Sequence, residues 1–397
     1  MKKKVLYLYI FTTLYAIVIN LAHPVTPAFI RNLGITEYMF GLFFAAMNLG
    51  TFIMSPFWGN LGDVKKRKYI IMIGVLGYSI SQMLFGMFTN AYYILIVRFT
   101  GGVFSSSVIV SLLAYIAEDR DITNKKSVIA WFLTLITFGG SISYLISGQL
   151  GDLFYENLSY VFYIQAIASF VVALLALFLD TEVHGSQEKK SLFKQIKQIK
   201  YIPKRVVFLF IIIAILNIPI VNFTKYIDLY ITDLGYRTSV VGYFSFTTGI
   251  IAMITTIAIV PIITRKFPPI KTAIVSLLIG AAISFTTFIF KSEYLIICLY
   301  TFFMVYIAAR STYEPSIVNH LNEEKNLSSG MLMGLRQSSL SLGAVIGPIV
   351  SGFLYGYLEV GLFYFLSSIL VLGAILLTIY YFWYKKGVAD DFNRANN

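Results

Sequence analysis

Apolar residues run along the chain in twelve long stretches, near 5–26, 37–58, 69–88, 91–117, 127–149, 158–179, 206–231, 239–262, 271–290, 294–320, 329–355 and 360–384, with polar residues gathered in the short gaps between them. Each stretch is close to the roughly 20 residues that an α-helix needs to cross a bilayer. Backbone groups in hydrocarbon have no water to bond, so a span closes its hydrogen bonds within a helix or around a barrel. A barrel strand shows alternation over about 10 residues, and these runs do not. The pattern predicts an all-α membrane protein with twelve transmembrane helices and almost no chain left for a soluble domain.

Composition agrees: 58% of residues are apolar and 13% charged, against about 25% charged in soluble domains. The net charge of +12 raises the question of nucleic acid, and the placement of the basic residues answers it. With the N-terminus in the cytoplasm, 24 of the 31 Lys and Arg residues fall in cytoplasmic segments and three, Arg31, Arg237 and Lys291, in outer loops. Such asymmetry is the positive-inside pattern; it places both termini in the cytoplasm and makes the charge topogenic, with no nucleic-acid partner. The opening Met-Lys-Lys-Lys and its apolar run read as helix 1, because the run exceeds the 7–15 apolar residues of a secretory leader. A single cysteine, Cys298, offers neither a disulfide framework nor a thiol cluster for a metal.

The chain repeats itself. Arg31–Phe43 aligns with Thr232–Phe244, and Leu33, Gly34, Gly41 and Phe43 recur as Leu234, Gly235, Gly242 and Phe244. Both copies follow the first helix of a half and run into the second, which predicts two six-helix bundles related by a parallel repeat. The boundaries are 1–180 for the N-terminal bundle, 181–205 for a cytoplasmic linker and 206–397 for the C-terminal bundle. The linker, with its Lys194-Gln-Ile-Lys-Gln-Ile-Lys200 segment, reads either as an amphipathic surface helix meeting anionic lipid or as a solvated basic connector.

Between the second and third stretches lies Gly59-Asn-Leu-Gly-Asp-Val-Lys-Lys-Arg-Lys68, in which Gly59, Asp63, Arg67 and Lys68 are spaced Gly-x-x-x-Asp-x-x-x-Arg-Lys. This resembles the loop between helices 2 and 3 of the major facilitator superfamily, with Val64 where a basic residue is usual and Lys66 where a glycine is usual. The resemblance implies secondary transport by two six-helix bundles and a charged cytoplasmic latch between them. Asp63 is expected near the start of helix 3, where the dipole favours a carboxylate, with Arg67 one turn on. Glu118 and Asp119, at the end of helix 4, are the expected acidic partners of Arg67.

Arg98, in Arg98-Phe-Thr-Gly-Gly-Val-Phe-Ser-Ser-Ser107, resembles the arginine motif of helix 4 in that superfamily, which is associated with proton transfer. A guanidinium facing lipid is costly, so Arg98 is expected to look inward. Its other reading is a structural hub for neighbouring carbonyls. Helix 5 departs from the antiporter pattern: Tyr144 stands where a proline follows glycine, while Gly139, Ser143 and Ser147 still recur every four residues.

Substrate and proton sites must come from polar groups inside the spans. Helix 10 supplies Arg310, Tyr313 and Glu314; Arg310 and Glu314 share a helical face, either as an exchangeable proton site or as a permanent ion bridge. Helix 7 supplies Asn217, Asn222, Lys225 and Asp228, the last near the outer end and so either an interfacial charge or a cavity group. Helix 1 supplies Asn20 and His23; His23 can titrate near neutral pH or serve as a hydrogen-bonded interior residue. The candidate proton-coupling groups are thus Glu314, Arg310, Arg98, Asp228 and His23. The candidate cavity residues are Asn20, Asn217, Asn222, Lys225, Tyr313 and Tyr144, and the candidate latch is Gly59, Asp63, Arg67, Lys68, Glu118 and Asp119.

Taken whole, the chain resembles the 12-helix drug:proton antiporters of Gram-positive bacteria. The resemblance implies a monomeric, multi-pass plasma-membrane protein that moves a small-molecule substrate against protons and uses no cofactor. A carrier of one anionic metabolite or lipid is the alternative. No Gly-x-x-x-x-Gly-Lys-Ser/Thr loop offers direct use of ATP, and no nucleophile–base pair suggests an enzyme.

Overall fold

The computed structural model describes residues 2–119, 122, 124–179, 202, 204–233, 235–289, 298–302, 304–310, 312, 329–358 and 361–395. Helices α1 (Lys2–Asn20), α2 (Thr26–Asn32), α3 (Glu37–Val64), α4 (Arg67–Met87), α5 (Ala91–Glu118), α6 (Lys125–Leu153) and α7 (Ser159–Leu175) come first. Then follow α8 (Lys204–Asp233), α9 (Thr238–Ile254), α10 (Val260–Lys266), α11 (Pro269–Ile289), α12 (Cys298–Arg310), α13 (Ser329–Leu358) and α14 (Gly361–Ala395). Among the described residues the regular elements are all helical, and ten spans are long and apolar enough to cross a membrane. Helices α1 and α12 occupy the other two predicted positions.

Three features depart from the predicted spans, each for a local reason. Helix 1 does not continue through residue 26: α1 stops at Asn20, a turn covers 21–25, and α2 resumes at Thr26. Pro24 has no N–H for the Asn20 carbonyl, which instead accepts from the His23 N–H at 3.0 Å. Helix 8 continues past its predicted end but widens into a π-helical turn at Thr255–Ile259, where Pro261 cannot donate to the Ile257 carbonyl. The loop predicted at 59–68 shrinks to Lys65 and Lys66, because α3 runs to Val64 and α4 begins at Arg67.

The repeated turns agree in geometry. Gly34 and Gly235 adopt φ of +68° and +82°, the left-handed region that only glycine enters freely, and each lets the chain turn into the next long helix. Their repeat neighbours Gly41 and Gly242 also play one part. A Cβ on Gly41 would stand 2.5 Å from the Pro348 carbonyl oxygen of α13, and one on Gly242 would stand 2.7 Å from that of Tyr144 in α6.

These contacts belong to two long helix pairs, α3 with α13 and α6 with α9, which join the early part of the chain to the late part. The Ser338 Oγ donates to the Phe52 carbonyl at 2.7 Å in the first pair, and the Gln149 Nε2 donates to the Tyr243 hydroxyl at 2.9 Å in the second. Among the described residues the buried apolar side chains form three clusters. One is built from residues between Val206 and Tyr380, and two from residues between Leu8 and Leu179, with Met333 of α13 reaching into one of them.

Backbone proximity makes neighbouring glycines unequal. In α5 a Cβ on Gly102 would run into the Met47 carbonyl of α3, whereas one on Gly101 would meet the Ser81 side chain at an ordinary 3.5 Å. Gly102→Ala is therefore expected to lower stability by about 1–3 kcal/mol through forced separation of α3 and α5, and Gly101→Ala to leave it near the parent value. Thermal unfolding of the two detergent-purified variants checks this; equal midpoints would contradict the packing described.

Candidate functional site

A cavity of about 430 Å³ lies among α6, α8, α9 and α12 and reaches the end of α1, within the size range of small-molecule sites. Its wall is mainly aromatic and aliphatic. Phe223 and Phe302 are 4.4 Å apart at their ring centroids, and Tyr306 stacks on Phe302 at 6.0 Å. Polar groups enter from five helices: Asn20 from α1, Tyr144 from α6, Asp228 from α8, Ser245 from α9 and Arg310 from α12. Asp228 is 4% exposed, and the Ser245 Oγ reaches its Oδ1 at 3.5 Å. The low dielectric of such a wall strengthens every charge interaction made inside it.

Of the candidate cavity residues Asn20 and Tyr144 stand in its wall, and of the candidate proton-coupling residues Asp228 and Arg310 do. Asp228, though close to the end of α8, takes the cavity position rather than the interfacial one. Asn217 and Asn222 do not line it. The Asn217 Nδ2 donates to the Leu340 carbonyl of α13 at 2.6 Å, and the Asn222 Nδ2 donates to the Ile218 carbonyl at 2.6 Å. Both lie where α8 meets α13 at Gly343 and Gly347, two positions with no room for a Cβ. The expectation that the two amides face substrate is corrected accordingly. The Lys225 side chain, Tyr313 and Glu314 lie outside the described residues.

Where the turn between α3 and α4 meets the C-terminal end of α5, the basic turn forms a charge cluster. Arg67, 4% exposed, donates through Nη2 to the Asp63 Oδ1 at 3.0 Å and to the Glu118 Oε2 at 2.7 Å. Asp119 pairs elsewhere: its Oδ2 lies 2.8 Å from the Lys4 Nζ, which also sits 5.6 Å from the centre of the Tyr115 ring. Asp63 ends α3 instead of starting the next helix. There the helix dipole disfavours a carboxylate, so Arg67 compensates a cost where the sequence suggested a gain. Gly59 is buried in the same last turns of α3, and the Lys68 Nζ lies over the Tyr69 ring at 5.5 Å.

Arg98 and His23 lie away from the cavity wall, in the interior of the early helices. The Arg98 guanidinium packs on the Phe85 ring at 3.9 Å and near that of Phe44 at 6.0 Å. His23, in the turn after α1, stacks on Phe44 at 5.9 Å.

With this geometry in view, comparison with known proteins is decisive on class. The family model described as Major Facilitator Superfamily matches residues 8–326. The chain belongs to that superfamily. Among curated proteins it is similar to Multidrug resistance protein 1 of Bacillus subtilis, 26% identical over 364 residues that cover 91% of this chain and 92% of that protein. It is also similar to Quinolone resistance protein NorA of Staphylococcus aureus, at 24% over 356 residues covering 89% and 90%. Among solved structures, the nucleoside transporter NupG superposes with a TM-score of 0.71 at 15% identity, covering 95% of this chain and 99% of that one. The human organic anion transporter MFSD10 (TETRAN) does so with a TM-score of 0.71 at 14% identity and the same coverage. This member of the superfamily is a multi-pass membrane transporter with drug-efflux proteins among its relatives.

Several residues important to its interior carried no label in the sequence. Gln165, in α7, donates through Nε2 to the Val18 and Ile19 carbonyls at 2.8 and 3.1 Å, and the Tyr78 hydroxyl donates to the Ile19 carbonyl at 2.8 Å. They satisfy the end of α1 where the helix stops. An amide within a span otherwise composed of apolar and small residues was the available signal. Ser245 gave none, since hydroxyls are frequent throughout the spans.

The charge cluster gives this transporter a measurable asymmetry. Arg67→Ala is expected to cost about 1–3 kcal/mol, because it takes the shared cation away from Asp63 and Glu118. Asp63→Ala added to it is expected to restore part of that loss. Thermal unfolding of the single and double variants in detergent checks this, and a double variant no more stable than Arg67→Ala would refute the compensation.

Proposed function

We propose that the chain exports amphipathic small molecules in exchange for protons, by alternating access between two six-helix halves, residues 1–180 and 206–397, joined by the cytoplasmic linker 181–205. In this reading it acts as a monomer in a bacterial plasma membrane with both termini in the cytoplasm, the orientation favoured by its basic residues. The observation that carries the proposal is Asp228, a buried carboxylate in the aromatic wall of a cavity bounded by α6, α8, α9 and α12. Rings give a flat amphipathic molecule its contact area and a cation its cation–π partners. A carboxylate there discriminates between a cationic ligand and a proton, because only its ionised form attracts the ligand. Glu314, four residues beyond Arg310 in the sequence, is the second carboxylate of the exchange. Protonation weakens its pairing with Arg310 and favours one orientation of the halves, while substrate competes for the deprotonated form.

The similarity to multidrug and quinolone resistance proteins over about nine-tenths of the chain supports this substrate class. A second reading, carriage of one anionic metabolite or lipid, is favoured by Arg310 in the same wall.

Proteoliposomes with an imposed pH gradient and a panel of cationic dyes, sugars and organic anions separate the two. Dye-dependent proton flux is expected, falling at least about tenfold in Asp228→Asn, equivalent to about 1.4 kcal/mol of lost interaction, and in Glu314→Gln. Flux that survives either substitution removes that carboxylate from the exchange. Flux with organic anions alone selects the second reading, and none with any compound rejects both.

A further inference from the structure

Two of the guanidinium groups described above, those of Arg67 and Arg98, are treated in opposite ways. Arg67 is held by two carboxylates. Arg98, equally buried at 4% exposure, is held by rings: its guanidinium lies 3.9 Å from the centre of Phe85, itself fully buried and packed edge-on to Phe43 and tilted against Phe162. Among the described residues no carboxylate, carbonyl or hydroxyl accepts a hydrogen bond from Arg98. Ring faces neutralise part of a cation's charge but accept none of the five N–H donors that a guanidinium projects in its plane. Burying those donors and a full charge without a counter-ion is costly, and a position in the membrane interior keeps such a group only where it is used.

The surroundings point to what it is used for. Gln165 and Tyr78 flank the same region, and both spend their donors on the carbonyls that end α1. They leave the guanidinium as the free donor array beside the helix break. The break in the first span stands between this region and the cavity: Asn20 lines the cavity, and His23, three residues on, stacks on the Phe44 ring that neighbours Arg98. A planar fork of donors backed by an aromatic plate matches the two oxygens of a carboxylate.

We infer that Arg98, supported by Phe85, is a binding site for a monovalent carboxylate, separate from the Asp228 cavity and entered past the break between α1 and α2. The acceptor is either a free small anion carried with the cycle or the carboxylate of a transported molecule whose body rests on the aromatic cluster. The site does not depend on the export reading. A protein that pumps dyes and binds no carboxylate overturns the site and leaves that reading standing, and the reverse result does the opposite.

The test is equilibrium binding of radiolabelled benzoate to the detergent-purified full chain at constant ionic strength, with benzamide as the neutral competitor of the same shape and acetate as the small competitor. Saturable benzoate binding that acetate displaces and benzamide does not is the expected result in the wild-type protein. Displacement by acetate at benzoate's own affinity assigns the site to a free anion. Tenfold or weaker competition by acetate assigns it to a carboxylate on a larger apolar body. Both outcomes uphold the proposal. Arg98→Gln is expected to abolish binding, and Phe85→Leu to weaken it roughly tenfold by releasing the guanidinium from its plate. Absent or benzamide-displaceable binding in the wild type overturns the proposal without any variant, and so does undiminished binding in folded Arg98→Gln.

Discussion

A carbonyl or an N–H left without a partner in hydrocarbon has no water to turn to, and the consequences of that fact run through this structure. Where the helices are regular they look after themselves. Where they are interrupted, polar side chains from other spans are drawn in to do water's work. The end of α1 shows this most clearly: Val18 and Ile19 present carbonyls that Gln165 and Tyr78 take up. At Thr255–Ile259 the helix widens ahead of Pro261, and Thr256 of that turn joins the cavity wall. Interruptions of this kind mark functional positions in membrane helices. Here both border the space where a ligand would sit.

Polar residues in the spans therefore divide by what they serve. Asn217 is spent on the backbone of a neighbouring helix, and Asn222 on its own. Gln165 is spent on a broken helix end. Asp228 and Arg310 are directed into the cavity, and Arg98 is stacked on rings with none of its donors taken up among the described residues. The charge cluster at Arg67 is a third category, a pair of carboxylates and a cation that fix the turn between α3 and α4 to the end of α5.

The sequence was informative about everything that depends on solvent. Run length gave the spans, because the bilayer sets their length. The turn glycines Gly34 and Gly235 were legible as repeats because only glycine serves at those backbone angles. Direction was much harder to read. A span that is apolar on every side has no period to show which face a lone polar residue takes, and so Asn217 and Asp228, eleven residues apart on α8, were indistinguishable in role. The same blindness hid Asp63. Its position relative to the helix end depends on whether α3 runs on through a Gly-Asn-Leu-Gly segment, where the apolar run stops but the helix does not. Asp119 was assigned to Arg67 by proximity in sequence to Glu118, whereas the end of α5 points the two carboxylates at different cations.

The pairing of α6 with α9 has a mechanical side. Gly148 and Gly242 bring the two backbones together, and Ser141 lies directly against Gly249, so at these two levels of the seam no bulky side chains interlock. Interdigitated surfaces must unlock rotamers before they can shift; a smooth one pivots on backbone contact alone. At such positions two helices can tilt past each other without any exchange of rotamers, so the seam resists separation more than it resists sliding.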